Sequence, residues 1–205
     1  MITTINKPEQ KLLTFEQFIK QLPDEEGRYE LVNGEIMRTL ATRRHEDLAD
    51  FIIRQFDKEV ERAKLNYRVS GRIVIRTENK EGKERGRNPD VTVIDKTIWE
   101  AHPTAYSALL DAPNLVVEVV STNWEDDYVD KLEEYQLLGI PEYWIIDYEA
   151  IASRSYLGNP KQPTVFVYTL QEDKTYAMKS YQNESLIISP TFPELKLTPQ
   201  QIWSI

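Results

Sequence analysis

The segment Leu115-Val116-Val117-Glu118-Val119-Val120 has the composition of a β-strand that is buried on both faces. Alternate side chains of a strand point to opposite faces, so Glu118 shares a face with Val116 and Val120. An ionised carboxylate in such a place is costly unless a cation compensates it. Glu118 is therefore the partner of an arginine, a residue at a wet sheet edge, or a ligand of a metal ion.

A second carboxylate, Asp90, stands at the start of the short apolar strand predicted upstream, Val91–Ile94. The tripeptide Asn88-Pro89-Asp90 also has the composition of an ordinary turn. At the ends of neighbouring strands, Asp90 and Glu118 would together offer the oxygen ligands that Mg²⁺ prefers. An ion held there would polarise a phosphodiester and lower the pKa of a bound water.

Lys131 would add a cation to this pair, because it lies on the helix predicted to leave the Glu118 strand. A lysine in such a site orients or activates the attacking water. Lys131 also follows Asp127 by four residues, and an exposed pair of that spacing would contribute only a few tenths of a kcal/mol. The sequence leaves both roles open.

The periodicity on either side of this segment alternates between helix and strand. Apolar residues recur every four positions from His45 to about Ala63, at Leu48, Ile52, Phe56 and Val60, which predicts one buried helix face. A second helix is predicted to bury Val129, Leu132, Tyr135 and Leu138. The predicted core elements are a helix over 45–63, strands over 67–76, 90–94 and 115–120, a helix over 125–138 and a strand over 143–147. The strand over 67–76 is assigned from alternation of apolar and polar residues.

Appended elements are predicted on both sides of this core. Thr14 begins a capping box with Gln17 and opens a short helix to about Leu22, with Leu13 packing on Phe18 and a turn over 24–27. Strands over 29–32 and 36–40 around Asn33-Gly34 predict a hairpin. Residues 80–88 have the composition of a polar loop, and 165–170 and 175–179 predict two antiparallel strands. We expect a single α/β domain over 1–205, with its core at about 45–148 and appended elements at 1–44 and 149–205.

The composition excludes several classes of protein. The 205 residues carry 25 basic and 34 acidic side chains, a net charge of −9 that argues against a general nucleic-acid coat protein. Zero cysteines exclude disulfides and thiolate chemistry, and two histidines make a histidine-rich zinc site improbable. No apolar run approaches the ~20 residues of a membrane span, and the N-terminus lacks the apolar region of a signal peptide. We expect a cytoplasmic protein without membrane association.

The charge is unevenly distributed along the chain. Between Arg62 and Arg87 there are nine basic and three acidic residues, so the segment is locally +6. It is either a solvated, charged hairpin or a basic strip beside the acidic pair, as an enzyme acting on phosphodiesters requires. Arg72, Arg76 and Arg87 are the candidate phosphate contacts.

The order of the predicted core elements resembles the αβββαβ core of the PD-(D/E)XK nuclease superfamily, with a mixed central sheet. Pro89-Asp90 corresponds to the "PD", and Glu118 to the acidic residue of the second half-motif. From about residue 14 to the end, the chain more narrowly resembles the Uma-two family of restriction-endonuclease-like proteins. The matching segments are 29–35, His45, 87–91, 117–121, Lys131, Tyr135 and 139–147.

The resemblance implies a metal-dependent endonuclease that acts on DNA. Its cofactor would be Mg²⁺, with Mn²⁺ as a substitute. Asp90 and Glu118 would hold the metal. The superfamily places a lysine two residues after the acid, where this chain has Val120, so the lysine is displaced to Lys131. Glu46 or Glu30 would add a further carboxylate, unless each only forms a salt bridge. A homodimer is expected, because duplex cleavage commonly pairs two sites.

Several other interpretations stay open at this point. A nuclease-like fold without turnover would serve as a binding or assembly module, and an unrelated α/β protein would pair Glu118 with an arginine. His45 would cap its helix, contact phosphate or lie on the surface, whereas His102 carries no signal. Asp147 is expected to shape a turn, and Tyr143 and Trp144 to lie in the core or at an interface.

Overall fold

A computed structural model describes residues 12–23, 25 and 27–205. The expected absence of a signal peptide and part of the predicted turn over 24–27 concern residues outside these ranges. The strands are β1 (Arg28–Val32), β2 (Glu35–Thr39), β3 (Tyr67–Ser70), β4 (Val74–Glu78), β5 (Glu84–Arg87), β6 (Val91–Asp95), β7 (Ala108–Leu109), β8 (Leu115–Val119), β9 (Glu142–Asp147), β10 (Thr164–Leu170) and β11 (Tyr176–Tyr181). The helices are α1 (Phe15–Lys20), α2 (Arg43–Ala63), α3 (Lys96–Glu100), α4 (Lys131–Leu138), α5 (Arg154–Leu157) and α6 (Pro199–Trp203), and a π-helical turn, Asp126–Asp130, precedes α4.

The apolar run at 115–119 forms β8 in the middle of a six-stranded sheet with the order β11-β10-β9-β8-β6-β3. β8 pairs in parallel with β9 and antiparallel with β6, so the sheet is mixed. The remaining neighbours pair antiparallel. Every residue of β8 and β9 is buried, which explains why both segments lack the alternation of a half-exposed strand.

The two faces of this sheet pack against different elements. On one face, Leu48, Ile52 and Phe56 of α2 form a core with Val117 and Trp144, which confirms the predicted buried stripe of α2. On the other face, Val116 and Val120 pack with aromatic residues of the π-turn, α4 and β9. Glu118 lies on this second side, as the alternation predicts, and its side chain therefore points towards α4.

A second, five-stranded sheet has the order β2-β1-β5-β4-β7. Its hairpin turns at Asn33 and Gly34, with φ of 53° and 76°, as the Asn-Gly dipeptide predicts. The predicted capping box of Thr14 and Gln17 is present at α1. Phe18 of α1 packs on the backbone of β5 at Gly86, where an added Cβ would lie 2.7 Å from the ring.

The prediction of one strand over 67–76 is wrong. β3 ends at Ser70 and belongs to the six-stranded sheet, whereas β4 begins at Val74 and belongs to the other. Gly71 lies at the crossing, where an added Cβ would be 2.8 Å from the backbone oxygen of Asp90. The residues predicted to share one face therefore pack in different cores: Tyr67 and Val69 lie against one, and Ile73 and Ile75 lie in two others.

The prediction of a loop over 80–88 is also wrong, since β5 occupies Glu84–Arg87. Its buried side chains are the arginines Arg85 and Arg87, which are compensated by acidic partners. A strand whose inward residues are arginines has no apolar alternation in its sequence.

The second long helix differs from the prediction in register. The π-helical turn over Asp126–Asp130 leaves Val129 half exposed, whereas Asp127 and Tyr128 are buried. After the turn, α4 buries Lys131, Glu134 and Tyr135. The face towards the sheet is thus largely charged, and the predicted apolar stripe is wrong at Val129.

No helix within the described residues is long and apolar enough to cross a membrane.

Candidate functional site

A pocket of about 210 Å³ opens where β6 begins and β8 ends, between α2 and the π-turn. It brings Asp90, Glu118 and Lys131 together. Its other charged or titratable side chains are Arg28, Glu30, His45, Asp127, Tyr148 and Glu149. The central strands place the two carboxylates, and the π-turn and α4 bring the lysine over the end of β8.

Asp90 is almost fully buried, and every oxygen of its carboxylate has a partner. Val119 donates its backbone N–H to Oδ2 at 2.7 Å. His45 Nε2 lies 2.8 Å from Oδ1, and the Arg28 guanidinium contacts the same oxygen. Burial opposes ionisation, but His45 and Arg28 outweigh it and hold the pKa of Asp90 below its ordinary value. Asp90 is therefore an anion neutralised by two cationic or donor side chains.

Glu118 has partners of a different kind. Tyr135 Oη donates to Oε1 at 2.6 Å, and Lys131 Nζ lies 3.0 Å from Oε2. Burial raises the pKa of Glu118 to about 8, because the nearby charge of Lys131 is opposed by the negative charges of Asp90 and Asp127. The expected alternative of an arginine partner is wrong for the described residues, since the cation beside Glu118 is Lys131.

Lys131 is buried among three carboxylates. Its Nζ lies 2.9 Å from Asp127, 3.0 Å from Glu118 and 3.9 Å from Glu30. Burial alone would lower the pKa of Lys131, but these acids raise it well above its ordinary value. The four-residue pair with Asp127 is present, as expected, yet it is buried rather than exposed. The π-turn causes this by turning Asp127 inward together with Lys131.

The two further carboxylates considered from the sequence have different positions. Glu30 is buried in the pocket wall, where it accepts hydrogen bonds from Arg87 at 3.0 Å and from the backbone N–H of Asn88 at 3.2 Å. Burial opposes the charge of Glu30, but Lys131 and Arg87 hold its pKa below the ordinary value. Glu46 is about half exposed and pairs with Arg28 at 3.4 Å.

Most of the basic segment does not face the pocket as a free strip. Arg87 is fully buried and binds Glu134 through two nitrogens, at 2.7 and 2.8 Å, so its predicted contact with phosphate is wrong. Arg76 pairs with Glu78 and Glu84 on the second sheet. Further pairs join Arg62 to Glu59 and Glu194, Lys80 to Glu133, and Lys83 to Glu81.

Arg72 differs from the other two candidates. It is exposed and has no ion-pair partner among the described residues. It lines a shallow groove beside the pocket together with Arg28, Arg38 and Asn88, and we call this the arginine groove. Glu25 and Glu46 line the same groove.

His45 is largely buried against Asp90, so the interpretation as a surface histidine is wrong. Asp147 accepts hydrogen bonds from the backbone N–H groups of Ile151 and Ala152, which confirms its turn role. Tyr143 and Trp144 are fully buried, as expected. Sequence reasoning did not select Arg28 and considered Asp127 only as the exposed partner of Lys131, and no periodicity distinguishes either residue from the many exposed charges of this chain.

The pocket suits a hard divalent cation in its chemistry. No group of three or more acidic or histidine side chains is arranged to hold a metal within the described residues. Asp90 Oδ2 and Glu118 Oε1 each accept one hydrogen bond, Glu118 Oε2 lies 3.0 Å from Lys131 Nζ, and a carboxylate oxygen can accept two hydrogen bonds. In the same wall, Asn88 adds a buried Oδ1 that has no hydrogen-bond partner among the residues that the structure describes. These are oxygen donors, which Mg²⁺ and Mn²⁺ prefer.

Comparison with known proteins gives a match over almost the whole chain. Residues 15–200 match the sequence model of the Uma2 family, described as "Putative restriction endonuclease". A crystal structure of "a putative nuclease" from Anabaena variabilis superposes with a TM-score of 0.67 at 20% identity, covering 94% of this chain and 98% of that one. The likeness confirms the predicted fold. No curated protein matches the chain significantly.

Proposed function

This chain belongs to the Uma2 family, and from that premise we propose that it is a metal-dependent endonuclease that hydrolyses DNA phosphodiester bonds. The observation that carries the proposal is the meeting of Asp90, Glu118 and Lys131 in one buried pocket, with Lys131 Nζ 3.0 Å from Glu118. Buried like charges beside a cation are characteristic of sites in which a carboxylate works as a ligand.

Asp90 and Glu118 would hold Mg²⁺, with Mn²⁺ as substitute, and Asn88 Oδ1 is within the same wall. Such an ion, when bound, polarises the phosphodiester and lowers the pKa of a bound water. Glu118 would have to be ionised to serve as a ligand, because only the carboxylate binds metal. Asp90 is already ionised.

Lys131 would orient the attacking water and stabilise the negative charge that develops on the phosphate oxygens. Its pKa lies well above the ordinary value, so the amine keeps its proton and does not act as a base. Asp127 accepts a hydrogen bond from the ammonium group at 2.9 Å and restrains its position. Lys131 is thus an electrostatic group within the pocket.

The arginine groove is the proposed path of the DNA backbone, with Arg72 as a phosphate contact.

We further propose that two copies associate around a twofold axis, because cutting both strands of a duplex needs two sites in opposite directions. The single-domain interpretation of residues 1–205 stays a prediction.

The test uses the whole chain with plasmid DNA and Mg²⁺ or Mn²⁺, followed on a gel, and Mn²⁺ binding by calorimetry. Asp90→Asn and Glu118→Gln should each abolish cleavage and weaken Mn²⁺ binding, whereas Asp50→Asn, an exposed acid of α2, should change neither. Intact DNA together with no Mn²⁺ binding by the unmodified chain would refute the proposal.

A second candidate function is that of a binding or assembly module without turnover. It is favoured by the net charge of −9 and by the pairing of Asp90 and Glu118 with cations already within the chain. This function predicts that DNA is retained without being cut in Mg²⁺, and that Asp90→Asn leaves retention unchanged.

A further inference from the structure

Arg28 lies between the pocket and the arginine groove and lines both. Nη1 contacts Asp90 Oδ1, while Nη2 lies 3.4 Å from Glu46, at the edge of the groove. About one fifth of the Arg28 side chain is exposed, compared with 6% of Asp90. One guanidinium therefore joins a buried acid of the pocket to an exposed acid of the groove.

The contact of Arg28 with Asp90 competes with metal binding at Oδ1 and leaves only Oδ2 with a free acceptor position. Asp90 Oδ1 already faces both His45 and Arg28, so this oxygen has no acceptor position left for a cation. A divalent ion at Asp90 would also lie next to the positive charge of Arg28. Of the two side chains, Arg28 is the longer and more exposed, and the groove gives its guanidinium space to move.

We propose that Arg28 exchanges partners during the reaction cycle: it neutralises Asp90 in the resting site and binds a backbone phosphate of the DNA in the arginine groove once a divalent cation takes that carboxylate. The inference rests on the proposed function. With this exchange, metal binding and DNA binding reinforce each other, because the Arg28 side chain that the metal displaces then binds the DNA. A guanidinium suits both partners, since carboxylate and phosphate oxygens accept the same paired N–H groups.

The first experiment measures Mn²⁺ binding by calorimetry without DNA. Arg28→Met should raise the Mn²⁺ affinity about tenfold, within the usual range of coupling between two ligands of one site. Arg72→Met removes the same charge from the same groove without touching Asp90, and should change the affinity less than twofold. Arg28→Lys keeps the positive charge but loses the paired N–H groups of the guanidinium, and its Mn²⁺ affinity should lie between those of the unmodified chain and Arg28→Met. This variant separates direct competition for Asp90 from the general effect of a positive charge. Melting curves show that each variant is folded.

The second experiment measures binding of a labelled DNA duplex by anisotropy, with and without Ca²⁺ in place of Mg²⁺. The unmodified chain should bind DNA at least fivefold more tightly with Ca²⁺, in the usual range of such couplings. Arg28→Met should lose this enhancement. Arg72→Met should bind more weakly in both conditions and keep the enhancement.

The outcomes separate this inference from the function on which it rests. If the unmodified chain binds no Mn²⁺, the proposed function fails. If it binds Mn²⁺ and cuts DNA while Arg28→Met has unchanged Mn²⁺ affinity, or keeps the Ca²⁺ enhancement of DNA binding, the exchange of partners is refuted and the function stands.

Discussion

At the scale of single residues, the pocket depends on Lys131. Its ammonium group lies within 3.0 Å of both Asp127 and Glu118 and is almost completely buried. Lys131 alone does not neutralise the acids around it: burial raises the pKa of Glu118 to about 8, so a proton compensates this carboxylate near neutral pH. The arrangement is favourable for binding a divalent cation, which would take the place of this proton.

Replacing Lys131 should separate catalysis from metal binding. In Lys131→Met, we expect cleavage of plasmid DNA to fall at least about 100-fold, the usual contribution of such a group. Mn²⁺ affinity should stay equal or rise, since a positive charge beside the ligands is lost. Single-turnover cleavage and calorimetry measure the two effects, and Lys174→Met, on an exposed turn, is the control. Parallel losses of cleavage and of Mn²⁺ binding would show instead that Lys131 only holds Glu118 in place.

Glu118 should give the protein a characteristic dependence of stability on pH. Its pKa is raised to about 8 in the folded chain, from an ordinary value of 4.5. Between these values the folded state holds a proton that the unfolded state has released, so stability falls as the pH rises through this window. Glu118→Gln removes the effect.

The melting temperature of Glu118→Gln, relative to the unmodified chain, should therefore rise by about 4 °C or more from pH 5 to pH 8.5 without metal. Thermal scans in metal-free buffer measure this difference, and Glu172→Gln, an exposed acid, should show no trend. A constant difference across the pH range would mean that Glu118 is ionised throughout.

Only some of the residues that line this pocket could be predicted from the sequence. Glu118 and Asp90 could be chosen because each carboxylate adjoins or interrupts an apolar strand. Arg28 and Asp127 could not, because 29% of the residues are charged and nothing local marks which of them become buried. Lys131 could be proposed from its place on the helix after the Glu118 strand, but its burial among acids could not, because that depends on the π-turn.

At the scale of secondary-structure elements, the same limit applies. α2 could be predicted to within two residues at its start, because one apolar stripe on a long amphipathic helix is a local property. β5 and the π-turn could not, because their inward side chains are charged and are compensated only by other elements. The break between β3 and β4 depends on which sheet each strand joins, which local alternation does not contain.

The pair Arg87–Glu134 connects β5 to α4, the helix that carries Lys131. Both side chains are almost fully buried, and two nitrogens of Arg87 bind the carboxylate of Glu134, which also accepts a hydrogen bond from Thr77 at 2.7 Å. Arg87→Met should lower the free energy of unfolding by about 3–5 kcal/mol, because it leaves buried carboxylates without their cation.

The double variant Arg87→Met/Glu134→Met should recover much of that loss, since no unpaired charge remains at Glu134. Urea unfolding of the single and double variants measures the coupling between the two residues. Arg54→Met, which breaks an exposed pair on α2, should change stability by less than about 1 kcal/mol. If the double variant is as unstable as Arg87→Met, the loss arises from packing or from Glu30 and not from the pair.

At the scale of the whole molecule, the net charge of −9 opposes the binding of a polyanion such as DNA. Most of its basic residues in the 62–87 segment are bound to acids, so they contribute little to a positive surface. The arginine groove gathers three arginines against two acids at the mouth of the pocket. Binding would therefore be local and weak away from the groove, with few phosphate contacts.

This charge distribution predicts a small and position-specific dependence of DNA affinity on salt. Each phosphate contact contributes about 0.9 to the slope of log affinity against log salt concentration. Arg72→Ala should reduce the magnitude of that slope by about 1. Lys179→Ala, on the exposed edge strand β11 and three strands from β8, removes the same charge and should leave the slope unchanged. Anisotropy titrations of one duplex over a series of salt concentrations measure the slopes, and equal reductions in both variants would show that DNA responds to overall charge and not to the groove.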